Sequence, residues 1–279
     1  MRLFNYLKLP LSAVRHWFEA MDAIAYSKKE RWHIFKVLLY LRFKEIGGRS
    51  NEVISANIFG FKIHAYDYTT LLFLFREIFL TRDYLFKSDT SQPRIIDCGA
   101  NIGMSIFFLK YFYPQAEIIA FEPNPDAYSL LKKNVEANQL KQVTLHNKAV
   151  SANTNGISFF VNEDKGTLLA SIKADRGGSR ELQIETVLLS DFLTTKANLV
   201  KIDIEGAEWL VLEDLENHAA SFANIEQLIM EYHHKMEGEP SKFSNWLNVF
   251  EGLGFEYNMK TNYRNQGDFQ DIVIHFYRN

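Results

Sequence analysis

The 279-residue sequence contains a single cysteine, Cys98. One thiol can form neither an internal disulfide nor a thiolate metal cluster, and a reducing cytoplasm is the compartment easiest to reconcile with it. An excess of one charge is lacking too. Lys and Arg number 31 against 34 Asp and Glu, a formal −3, which gives no electrostatic reason to expect a nucleic acid partner. No apolar run approaches the roughly 18 residues of a membrane-spanning helix. The opening MRLFNYLKLPLSAVRHWFEAM is broken by Lys8, Pro10, Arg15 and His16, where a signal peptide would keep an apolar stretch. Repeats and low-complexity tracts are also missing. Apolar residues are plentiful at 47%, enough for a large core.

Residues 1–48 read as two helices. Val14, Trp17, Phe18, Met21 and Ala25 share one face of the first. Ser27 and Glu30 form a capping-box pattern that opens the second, whose stripe is Ile34, Val37, Leu38 and Leu41 and which Gly47-Gly48 should end. NIFGFKIHAY (57–66) suggests a strand or hairpin, and 68–86 a helix with Leu72, Phe75 and Phe79 as its seam. KSDTSQP (87–93) is the clearest linker. It divides the chain into a helical extension with a strand or hairpin, 1–90, and a second unit, 91–279. Past the linker strands and helices alternate, which predicts an α/β fold with a mostly parallel sheet covered on both faces. The last two strands, 255–260 and 271–277, have no helix between them and predict an antiparallel strand at one edge.

A carboxylate inside a covered sheet is costly to desolvate. Asp97, Glu122, Asp203 and Glu205 all fall at strand ends, beside the crevice where open parallel sheets hold ligands. In DCGANIG, Gly99 and Gly103 let backbone approach a ligand and open a helix, while Glu122 can accept from both hydroxyls of a ribose. That pairing fits a nicotinamide dinucleotide or S-adenosylmethionine. The dinucleotide fingerprint wants a glycine where Asn101 stands, and Asp97 would sit near the phosphates, so a cationic sulfonium is the better match.

With IIDCGANIG (95–103), IAFEPNPDAYSLLKKNVEAN (119–138), LVKIDIEGAEWLVL (199–212) and LIMEYHH (228–234) in that order, preceded by FREIFLTRDY (75–84), the chain resembles the FkbM-type family of class I S-adenosylmethionine-dependent methyltransferases. The resemblance implies a Rossmann-like, seven-stranded sheet behind an N-terminal helical extension. It also implies O-methylation of a saccharide or natural-product hydroxyl. Carried over, Asp97, Gly99, Ala100, Asn101, Gly103, Glu122 and Asp203 would contact the cofactor, and KIDIEGAE would lie beside the methyl group. An alcohol acceptor must lose a proton. Asp203, Glu205, Glu231, His233 and His234 cluster at neighbouring strand ends, and His233 is the expected base because an unperturbed imidazole titrates nearest neutral pH. The same groups could hold a divalent metal, although their spacing is no recognised signature. Glu208 reads as a helix-start acid, and Lys201 as a structural partner of Asp203. The rival readings are a nicotinamide-dependent oxidoreductase and a non-catalytic module on the same fold.

Residues 1–46 hold nine basic and four acidic residues, a net +5, so the remainder carries −8. Such an arm could rest on an anionic membrane. The plainer expectation is that both stripes pack on the enzyme body and the protein is monomeric.

Overall fold

Two helices open the computed structural model of the chain, α1 (Leu9–Asp22) and α2 (Lys28–Ile46), and local capping chemistry starts the second. The structure describes residues 9–23, 26–47, 53–162, 170–171, 178–234, 243–261 and 270–278. The capping box is formed: the Ser27 hydroxyl accepts from the Glu30 amide, and the Glu30 carboxylate accepts from the Ser27 amide at 2.7 Å. Ile34, Val37, Leu38 and Leu41 are buried, as their spacing predicts.

The stripe predicted on α1 is not buried. Val14, Trp17 and Phe18 face outward and Met21 is half-buried, while Ala25 lies outside the described residues. The positions turned inward are His16 and Ala20. A polar knot docks this helix. His16 Nδ1 lies 2.9 Å from Glu19 Oε2, and Arg76 Nη2 reaches both, at 3.0 and 2.9 Å.

The hairpin follows, with β1 (Ile54–Ile58) and β2 (Phe61–Ala65) joined by Phe59 and Gly60. Both turn residues have positive φ, 50° and 88°, the handedness a two-residue hairpin needs. The helix predicted over 68–86 is shorter and changes type. Asp67 caps α3 (Tyr68–Leu74), which widens into a π-helical turn over Phe75–Leu80 and stops. Leu72, Phe75 and Phe79 remain buried as the seam.

Strands and helices then alternate through β3 (Arg94–Cys98), α4 (Met104–Phe112), β4 (Glu117–Phe121), α5 (Pro125–Ala137) and β5 (Val143–His146). Short strands intervene: β6 (Ala149–Val150), β7 (Ile157–Val161), β8 (Ala170–Ser171), β9 (Arg180–Ile184) and β10 (Thr186–Val187). The run 182–189, strand-like throughout by composition, is thus broken after Ile184 and ends at Val187. The main sheet resumes with β11 (Leu199–Ile202), α6 (Glu208–Asn217), β12 (Gln227–His234), α7 (Phe243–Gly252), β13 (Glu256–Thr261) and β14 (Gln270–Tyr277).

Seven strands make the sheet, in the order β13-β14-β12-β11-β3-β4-β5. This is the Rossmann-like arrangement that the resemblance implies, mostly parallel with one reversed strand. The reversed strand is β14, and it sits one place in from the edge. Burial explains the order: β14 pairs with β12 along eight residues and buries Ile272, Ile274 and Phe276, whereas β13 is largely exposed and takes the rim. Adjacent residues serve opposite layers. Ile95, Leu199 and Ile229 face a core shared with the N-terminal helices, α4 and α5; Ile96, Val200 and Met230 face α6 and α7.

Asn134 of α5 stitches the hairpin to this body. Its Oδ1 accepts from the His64 amide at 2.6 Å, and its Nδ2 donates to the carbonyls of His64 and Ile102 at 3.0 and 2.8 Å. Asn138, one turn on, does the same for the Lys62 amide and carbonyl, both at 2.8 Å, so two asparagines satisfy the free edge of β2. Asn134→Ala should destabilise the protein by about 1–3 kcal/mol by orphaning the His64 and Ile102 peptide groups, read as a lower urea midpoint with an unchanged slope.

Candidate active site

Two loops at the carboxyl ends of β3 and β11 touch through their backbones. At Gly99, φ is 88° and a Cβ would fall 1.8 Å from the Asp203 carbonyl oxygen, so only glycine fits. The amides of Gly99 and Ala100 donate to the Phe121 carbonyl at 2.9 and 3.0 Å. Asn101, itself at φ 50°, donates its amide to Glu122 Oε2 at 2.7 Å, and the Asn124 amide donates to Oε1 at 2.8 Å. Burial pushes the Glu122 carboxyl up to about 7, against the opposing effect of these two amides.

Lys201 lies beneath this loop, fully enclosed. Its Nζ donates to the Gly99 carbonyl at 2.7 Å and pairs with Asp97 Oδ1 at 3.2 Å and Asp203 Oδ2 at 3.5 Å. Burial alone would lower its pKa; the two aspartates outweigh that and hold it above the ordinary lysine value. Ser105 donates to Asp97 Oδ2 at 2.5 Å, Tyr84 donates to Asp203 Oδ2 at 3.0 Å, and the ammonium sits 5.1 Å from the Tyr84 ring centre.

The far end is built by the turn after β11 and by β12. Glu205 and Gly206 both have positive φ, 54° and 98°. Glu208, buried at the start of α6, accepts from the Gly206 amide at 3.0 Å and from His233 Nδ1 at 2.8 Å. His233 Nε2 is 3.5 Å from Glu205 Oε2. Burial would lower the imidazole pKa, but Glu208 first and then Glu205 and Asp203 raise it to about 10. His233 is therefore an imidazolium at neutral pH and not the ready base its residue type predicts. Glu77 and Glu231 are pushed up to about 8 and about 9, by burial first and then by neighbouring carboxylates.

These groups surround one cavity of about 530 Å³, a size ordinary for small-molecule sites. Gly99, Ala100, Asn101 and Glu122 line one part of it; Asp203, Glu205 and His233 line another. Asp97 and Gly103 do not border it. Asp97 is spent on Lys201 and Ser105, one register step inside the sheet, where β3 pairs it with Lys201. Gly103 (φ 96°) begins α4 at a point where a Cβ would meet Leu131 Cδ1 at 2.8 Å, so its role is helix packing. Glu231 shares the His233 face of β12, while His234 points the other way, towards Tyr232 and Phe243.

Glu77, Tyr84 and Asp271 also line the cavity, and residue spacing does not single them out. Glu77 lies off the seam of a regular helix, and the π-helical turn sets it against the cavity. Such turns concentrate at functional sites, but they leave no periodic mark in a sequence.

Residues 97–257, more than half of the chain, match the family described as the methyltransferase FkbM domain. The chain is similar to methyltransferase sdnD of Sordaria araneosa, 32% identical over 187 residues, which covers 55% of this chain and 72% of that protein. It is similar as well to the 31-O-demethyl-FK506 methyltransferase FkbM of Streptomyces tacrolimicus, 28% identical over 200 residues, 58% of this chain and 74% of that one. The hexuronic acid methyltransferase AglP of Haloferax volcanii is 27% identical over 141 residues, 49% of this chain and 54% of its own length.

The raised His233 pKa fixes the sign of a pH effect. Its ion pairs contribute stability fully below the unfolded value of 6.5, and that contribution is lost as pH rises through about 10. His233→Gln should thus melt well below the parent at pH 6, with the gap narrowing towards pH 10. A gap constant across that range would mean that the buried imidazole is neutral.

Proposed function

The chain belongs to the FkbM methyltransferase family, and on that premise we propose that it moves a methyl group from S-adenosylmethionine to a hydroxyl of a saccharide or natural-product acceptor. The arrangement around Glu122 carries the cofactor assignment. Each carboxylate oxygen is already fixed by one backbone amide and keeps acceptor capacity at the cavity edge, which suits the two adjacent hydroxyls of a ribose. Gly99 and Ala100 bring backbone to the same edge. The residues fit a cationic sulfonium better than a pyrophosphate, because the carboxylates of Asp203, Glu205 and Asp271 face the cavity, beside Glu77 and Glu231 that burial keeps protonated near neutral pH.

Bound there, S-adenosylmethionine would supply a methyl group on positively charged sulfur, and its transfer to oxygen releases the hydroxyl proton. A base of this chain must take that proton. We assign it to Glu205, whose carboxylate is about one-third exposed and sits 3.5 Å from His233 Nε2. His233, held through Nδ1 by Glu208, orients Glu205 and offsets its charge. Asp203, fixed by Tyr84 and Lys201, completes the cluster. Positioning donor and acceptor together supplies much of the rate in such a displacement.

For the acceptor, one relative's name specifies an oxygen and another's a sugar acid. The carboxylates of Asp203, Glu205 and Asp271 would repel a free uronate, which favours a neutral polyhydroxylated acceptor here. Residues 1–90 would then be the acceptor-side extension and 91–279 the catalytic unit. A divalent cation is the second reading, since ligand atoms of Asp203, Glu205 and His233 lie within 4.8 Å of one another.

Glu122→Ala should weaken S-adenosylhomocysteine binding by about 1–3 kcal/mol in calorimetry, and unchanged binding would overturn the assignment. In the parent, affinity should fall as pH drops below about 7, where the carboxylate gains its proton. Glu205→Gln and His233→Gln should cut turnover while leaving that dissociation constant within a few-fold. Activity lost on chelation and restored by magnesium or manganese would favour the cation reading.

A further inference from the structure

A helix on the surface of a soluble protein normally turns its apolar side inward; α1 does the reverse. Its polar residues His16 and Glu19 are held against the body by Arg76. Leu11, Val14 and Phe18, along one face at i, i+3 and i+7, are 75%, 56% and 60% exposed. The outward side of α2 continues this surface. Trp17 meets Trp32 edge-on, with ring centres 5.1 Å apart, and Trp32, Lys36, Tyr40 and Phe43 follow one another along an exposed row. Phe73 of α3, also exposed, borders the mouth of the cavity.

Charge on the two helices is arranged to match. Lys28, Lys29, Lys36 and Lys44 are exposed among the aromatics, and the Arg15 side chain is exposed beside Glu19. Three of the four acids are engaged within the protein: Glu19 by Arg76, Glu30 by the Ser27 amide and the Tyr111 hydroxyl, and Glu45 by Arg42. Asp22 is the remaining one. The surface therefore presents ammonium groups and aromatic rings together. No helix among the described residues is long and apolar enough to cross a membrane.

We propose that this face docks on an anionic lipid surface. The rings enter the head-group region, the lysine stems lie along them, and the ammonium groups meet lipid phosphates and carboxylates. A second copy of the chain is a poorer occupant, because a two-fold contact through this patch would set its lysines against their own equivalents. Docking brings the Phe73 side of the cavity towards the bilayer, so an acceptor held at the membrane would reach it without leaving the lipid. The docking itself is independent of the cofactor and acceptor assignments.

The experiment is co-sedimentation of the full chain, without cofactor, with vesicles of phosphatidylcholine alone and of phosphatidylcholine with phosphatidylserine. Binding should require phosphatidylserine and weaken as salt rises. Phe18→Ser combined with Trp32→Ser should abolish it with the protein still folded, read as a retained cooperative melt, since Phe18 is exposed and Trp32 is half exposed. Lys29→Glu with Lys36→Glu should reduce it at least tenfold. Protein that stays in the supernatant at low salt would overturn the proposal. So would a parent that sediments as a dimer in the ultracentrifuge and becomes monomeric with Phe18→Ser and Trp32→Ser, because the occupant would then be a second copy.

Discussion

One buried ammonium links the fold of this protein to its site. Lys201 lies in the middle of the sheet, where an isolated charge would be expelled or neutralised, and it remains charged because Asp97 and Asp203 flank it. Two anions against one cation would leave an uncompensated charge, so Ser105 and Tyr84 each donate a hydroxyl to one of the aspartates. The Gly99 carbonyl accepts a further hydrogen bond from the ammonium. The partners come from β3, the loop after it, α4, the segment before β3, and the turn after β11. Removing any one leaves a buried polar group unpaired, the costly way to disturb such a network.

The same network separates the two halves of the cavity. On one side Glu122 is held by backbone amides alone; on the other Asp203 is paired with Lys201, and Glu205 and Glu208 with the imidazolium of His233. The excess negative charge around the second half is tolerable only where solvent or a cationic ligand reaches it. The opposite sign prevails on the outer face of α1 and α2. A nearly neutral chain thus keeps an acidic cavity and a basic flank, which its net charge of −3 conceals.

Much of this was legible in the sequence where the controlling physics is local. The Ser27–Glu30 box, a strand or hairpin near 57–66, the buried strands and the glycine at 99 depend on neighbours a few residues away. The orientation of α1 did not show, because Arg76, sixty positions distant from His16, decides which side of the helix turns inward. Hydropathy alone assigns Trp17 and Phe18 to a core. The charge on His233 was hidden for a similar reason: Glu208 and Glu205 set it through a turn whose positive φ angles leave no periodic trace. Asp97 and Gly103 sit where the motif puts them, but each is consumed by packing, against Lys201 and against Leu131.

The absence of room between residue 99 and the Asp203 carbonyl bears on how this architecture can diversify. With no space for a β-carbon there, the two loops have a single relative placement. Insertions or substitutions that shift either would displace the donor and acceptor regions together. If the acceptor is held as proposed, new preferences would arise on walls that do not share this contact, such as Tyr66, Phe73 and Ile78. Those positions belong to the hairpin's exit and to the helix that follows it, outside the strands that carry the chemistry. Under that proposal specificity drifts there while the frame around Gly99 and Asp203 stays fixed.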